Sequence, residues 1–114
     1  MKTLKLILIA CSVVFLQSCY DPGDIQVQNK ISQVKIQQVK WGDTYLTWEL
    51  LPGETSPKQS IPGDKLPQTN KISFIMTANN KSIYLETEEA FTLEENGNIK
   101  IVLDDSTGVK SPNE

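Results

Sequence analysis

Fourteen carboxylates and a few aromatic rings are the groups with which this chain could do chemistry, since it has eleven Lys, no Arg and no His. Without His no side chain has an unperturbed pKa near neutrality. Ser-His and Cys-His relays and His-ligated metal sites are therefore excluded. Without Arg there is no bidentate fork for phosphate or guanine, and a net charge of −3 repels polyanions, so no nucleic-acid partner is expected. The acids Glu86, Glu88, Glu89, Glu94, Glu95, Asp104 and Asp105 are dense enough to raise the question of calcium. They lack the D-x-D-x-D-G spacing of a calcium loop and read as a solvated face, with no metal and no cofactor. Any two carboxylates could stand at glycosidase separation, but nothing singles out a pair, and the chain reads as a non-enzyme. Trp41, Tyr45, Trp48 and Tyr84 are the rings that could stack on a sugar, depending on which of them the fold leaves exposed.

The elements that position these groups begin with a leader. Lys2 and Lys5 precede an eleven-residue apolar run, Leu6 to Leu16, much shorter than the roughly 20 residues a membrane-spanning helix needs. The run ends in Leu16-Gln17-Ser18-Cys19, which lacks small residues at both −1 and −3 of an ordinary secretory cut. Those four residues resemble the lipobox of bacterial lipoproteins. The resemblance implies that residues 1–18 are removed, that Cys19 carries a thioether-linked diacylglycerol, and that the mature chain is anchored to a membrane through it. Two or three acyl chains suffice for stable anchoring at about 0.8 kcal/mol per buried methylene. Cys11 lies in the leader, so the mature domain has no thiol for a disulfide. Losing Lys2 and Lys5 with the leader takes the net charge from −3 to −5.

Residues 19–24 read as the lipidated Cys and a turn-rich tether, 25–105 as the folded domain and 106–114 as a disordered tail. With 39% hydrophobic and 22% charged residues in 114, one globular domain is expected. From Ile25 onward apolar residues recur with period two, which predicts an all-β domain, a small antiparallel β-sandwich of six or seven strands, with an open barrel as the competitor. The segments with a strand pattern are 25–28, 31–41, 44–51, 59–61, 72–78, 82–87, 90–94 and 98–103, the short 59–61 segment being an optional edge strand and 90–94 and 98–103 the final pair. Asn79-Asn80 suits a type I′ turn that sets Met76 opposite Ile83, Phe74 opposite Leu85 and Ile75 opposite Tyr84. Glu95-Asn96-Gly97, with Gly97 left-handed, predicts a second hairpin pairing Leu93 with Ile99 and Phe91 with Ile101. Val34 and Ile36 differ in parity from Val39 and Trp41, so a bulge is expected at Gln37 and Gln38, opposite Thr47. That register pairs Ile36 with Trp48, buries Trp41 and Trp48, and leaves Tyr45 and Tyr84 facing outward as the candidate contacts. Pro52 to Asn70 holds Pro52, Pro57, Pro62 and Pro67 and reads as a functional or mobile loop.

Trp41-Gly42-Asp43, the run Leu50 to Ser56, Phe91-Thr92-Leu93 and Ile99 to Asp105 resemble small lipoproteins of the Bacteroidota. That resemblance implies an envelope location, the outer membrane, and carries no activity with it. The expected role is a non-catalytic interaction or accessory subunit that meets an envelope protein; the alternative is a small module binding a glycan or other envelope ligand through Tyr45 and Tyr84.

Overall fold

The computed structural model describes residues 20–112; the leader and Cys19 lie outside the described residues. The chain forms β1 (Gly23–Lys30), β2 (Lys35–Trp41), β3 (Thr44–Leu50), β4 (Gln59–Ile61), a 3-10 turn at Gly63–Lys65, β5 (Gln68–Ala78), β6 (Lys81–Leu93), β7 (Asn98–Asp104) and β8 (Val109–Lys110). A three-stranded sheet, β4-β1-β7, packs on a five-stranded sheet, β3-β2-β5-β6-β8. The expected sandwich forms because two sheets of alternating pattern can bury their apolar faces only against each other. Ile25 and Val27 from one layer and Ile36, Val39, Trp41, Ile72, Phe74 and Leu93 from the other are wholly buried. The Trp41 indole donates to the Phe91 carbonyl at 3.1 Å.

The β5–β6 hairpin has the expected register, with Asn79 and Asn80 at φ 53° and 62° and Phe74, Ile75 and Met76 facing Leu85, Tyr84 and Ile83. The second hairpin does not form. β6 runs unbroken to Leu93, pairing Phe91 with Asn70 and Leu93 with Gln68, and β7 crosses to the other sheet, where Ile99 and Ile101 lie parallel to Ile25 and Val27. The crossing supplies β1 with a partner on its second edge, and the left-handed residue of the 94–97 turn is Asn96, at φ 58°, with Gly97 donating to the Glu94 carbonyl. Within β6 two extra residues at Thr87–Glu89 interrupt the ladder. The buried Thr87 hydroxyl takes over, accepting from the Ile72 N–H at 3.0 Å and donating to the Glu89 carbonyl at 2.7 Å.

A bulge falls at Gln38, as expected, with φ 50°, but it interrupts pairing with β5; against β3 the register slips on the β3 side, at Leu46. Ile36 consequently faces Leu50, and the expected Ile36–Trp48 pair is not made. The Pro-rich segment is tied down. The N–H groups of Gly53 and Ser56 donate to the carbonyls of Asn29 and Val27, the Ser56 hydroxyl accepts from the Val27 N–H, and β4 continues along β1. These residues therefore act as an edge of the smaller sheet and not as a free loop. The C-terminal segment folds back as well: Val109 and Lys110 face Thr87 and Glu86, and the Glu88 backbone N–H donates to the Gly108 carbonyl at 2.9 Å. The β6 bulge exposes the ladder groups that hold β8, which is why the expected fraying from Ser106 does not occur.

Candidate functional site

The candidate contact residues stand on β3 and β6. Tyr45 follows the Gly42-Asp43 turn, faces Lys40 across the ladder and lies under its ammonium, 4.8 Å from Nζ to the ring centroid. Such a cation–π contact holds the ring against the sheet. Tyr84 faces Ile75, which faces Gln37. Tyr45 and Tyr84 are 49% and 46% exposed, as expected. Both are on the outer face of the five-stranded sheet, but three strand spacings, about 14 Å, separate β3 from β6. The structure therefore does not gather them into one site.

Trp48 is the correction. Expected in the core beside Trp41, it is 62% exposed, more than either tyrosine on these strands. It shares parity with the buried Leu46 and Leu50, but it falls opposite the left-handed Gln38 and beside the register slip at Leu46, and it stands exposed on this edge strand. Tyr45, Trp48 and the adjoining Leu51 thus line one edge strand with exposed apolar surface. Parity alone concealed this. The signal that could have revealed it is the position of β3 at the margin of the wider sheet, which is a tertiary fact.

The acids do not assemble. Among the described residues no three Asp or Glu side chains converge as metal ligands, and the ion pairs are Lys35–Glu49 at 3.5 Å and Lys71–Glu86 at 3.9 Å. Asp104 and Asp105 cap turns at the end of β7. Asp104 accepts from the Ser106 hydroxyl and N–H at 2.7 and 2.9 Å, and these bonds hold its carboxyl below the ordinary carboxylate range. Asp105 accepts from the Ser32 hydroxyl and N–H at 2.6 and 2.8 Å and is lowered in the same way. Both carboxyls are thus fixed as anions by hydrogen bonds, the opposite of the raised pKa a general acid needs.

No family model, curated protein or solved structure matches the chain. No helix among the described residues is long and apolar enough to cross a membrane.

Proposed function

We propose that this chain is a non-catalytic interaction module of the cell envelope, anchored through a lipidated Cys19 in the outer membrane and meeting a protein partner along β3. The observation that carries the reading is the uncovered edge. β3 contains no Pro or Lys, its one charge, Glu49, is paired with Lys35, and Tyr45, Trp48 and Leu51 stand exposed along or just beyond it. Sheet edges are ordinarily blunted by charge, Pro or a covering segment, and an edge rich in apolar side chains is suited to strand addition by a partner. In the smaller sheet one side of β1 is covered by residues 53–61, and the open edge there, β7, carries the charges Lys100 and Asp104.

The lipobox-like sequence supports the anchor, and the fold gives it a direction. β1 leaves the tether at Gly23, at the same end as the 42–43 turn and the 94–97 loop, so the Asn79-Asn80 tip lies at the far end. Crosslinking on native membranes followed by co-purification tests the proposal. Wild type should sediment with membranes and capture a partner. Cys19→Ala should move to the soluble fraction, and Trp48→Ala should stay membrane-bound but lose the partner. A Cys19→Ala chain that still sediments, or a partner retained by Trp48→Ala, overturns it.

The second reading, glycan binding, is supported by Trp48 and Tyr45 being exposed three residues apart on one strand with Lys40 beside Tyr45. Its discriminating observation is quenching or a blue shift of Trp48 fluorescence on titration with envelope oligosaccharides.

A further inference from the structure

The segment that joins Cys19 to the sandwich is itself packed against the sandwich. The Pro22 carbonyl accepts from the Asn96 N–H at 3.2 Å, and the Asp24 N–H donates to the Gly97 carbonyl at 3.0 Å. Tyr20 and Asp21 run over the buried Gly63 of the 3-10 turn. A Cβ at that position would lie 2.6 Å from the Tyr20 carbonyl carbon and closer still to the Asp21 carbonyl oxygen, so glycine is what admits the backbone this closely. The chain from Tyr20 onward is thus held at two points, by the 63–65 turn and by the 94–97 loop, at the end of the sandwich away from the Asn79-Asn80 tip. Tyr20 is 62% exposed, and Cys19 is the residue immediately before it.

We propose, resting on the lipid anchor already proposed at Cys19, that residues 20–22 are a docked strut and that this end of the sandwich is a membrane-contact surface. One residue spans at most about 3.6 Å. Acyl chains embedded through Cys19 therefore keep the 63–65 turn and the 94–97 loop at the headgroup layer, with no slack in which the body could swing. The exposed Tyr20 ring then lies at the interface, where its apolar body and its hydroxyl are both accommodated. Around it the exposed Asp21, Asp64, Glu94 and Glu95 outnumber Lys65, a balance complementary to the outward ammonium groups of a zwitterionic lipid surface. β5 has 11 residues, each rising about 3.3 Å, which sets the hairpin tip about 35 Å farther from the bilayer. β3 begins at the membrane end, so its open edge stands upright, with Tyr45 low and Leu50 high.

The test uses the exported, lipidated chain in phosphatidylcholine vesicles. The processed chain then has no free thiol, so Glu95→Cys and Lys81→Cys, both at exposed positions, each accept a single fluorescent label. Energy transfer to a headgroup acceptor should place position 95 within about 10 Å of the headgroup plane and position 81 about 35 Å farther out. Inserting about ten Gly and Ser residues after Cys19 adds roughly 15–20 Å of flexible reach and should bring the two positions toward one mean distance. Gly63→Val should undock the strut and speed exchange of the Asn96 amide at least about tenfold, while amides of the core strands keep their protection. A chain that does not enter vesicles overturns the anchor itself. A chain that enters them but shows equal transfer from positions 81 and 95, or transfer that the insertion leaves unchanged, overturns the strut and leaves the anchor standing.

Discussion

Asn29 is wholly buried, and replacing it should destabilise the domain more than removal of any exposed aromatic. Its amide nitrogen donates to the Val34 carbonyl at 2.9 Å and the Leu50 carbonyl at 3.1 Å, and its oxygen accepts from the Ile31 N–H at 3.0 Å. One side chain thus joins the end of β1 to the start of β2 and the end of β3, across the two layers. Asn29→Ala leaves two acceptors and one donor without partners. A fully buried orphan costs roughly 1–3 kcal/mol, and the Val34 and Ile31 groups are only partly buried, so a total of about 3 kcal/mol is expected. In a domain of this size that lowers Tm by roughly 12–24 °C. Asn29→Asp keeps the shape but turns an acceptor toward two carbonyls, which favours the protonated acid and raises its folded pKa. A raised folded pKa means the variant is closest to wild type below the unfolded value of about 4, and its deficit grows as pH rises above it. Urea denaturation read by the fluorescence of the buried Trp41, repeated across that range, measures both effects. An Asn29→Ala loss under about 1 kcal/mol, or an Asn29→Asp deficit that does not change with pH, refutes the reasoning.

Two other substitutions test features of the fold. Gln38 sits at φ 50°, where an L side chain is strained, so Gln38→Gly should stabilise by up to about 1 kcal/mol and raise the thermal midpoint; a lower midpoint would show that the glutamine side chain contributes more than its backbone costs. The Asp105 carboxyl, held below its ordinary 3.8 by Ser32, adds stability that is present above that value and disappears as pH falls through the lower folded value. Ser32→Ala should move the Asp105 midpoint, followed by carboxyl NMR, upward toward 3.8 and leave that of Asp104 in place; an Asp105 already titrating at 3.8 in the wild type refutes this.

Features that depend on neighbours in the chain were legible from the sequence. Asn79-Asn80 fixes its hairpin because a two-residue turn with positive φ admits one register. The Gln38 bulge is legible because Ile36 and Val39 cannot share a face without it. What could not be read is which strand lies beside which. Leu93, Ile99 and Ile101 are as compatible with a hairpin as with two layers, and only the need of Ile25 and Val27 for a partner on the second edge of β1 selects the crossing. Of the candidate contacts, Tyr45 and Tyr84 were legible from parity, and Trp48 was not.

Trp48 and Ile83 both have the parity of buried residues and stand exposed. Period two assigns a residue to a face of its own sheet, but burial also requires the opposite layer to extend that far. Here five strands lie over three, and a hairpin of 11 and 13 residues lies over strands of 8 and 7. The excess in length leaves Ile83 exposed at the hairpin end, whereas Leu46 and Leu50 on β3 are covered, so Trp48 is exposed where it faces the Gln38 bulge beside the slip at Leu46 and not through the width of the sheet. A single sheet face cannot retain apolar side chains in water without cost, at about 25 cal/mol for each Å² that burial would remove.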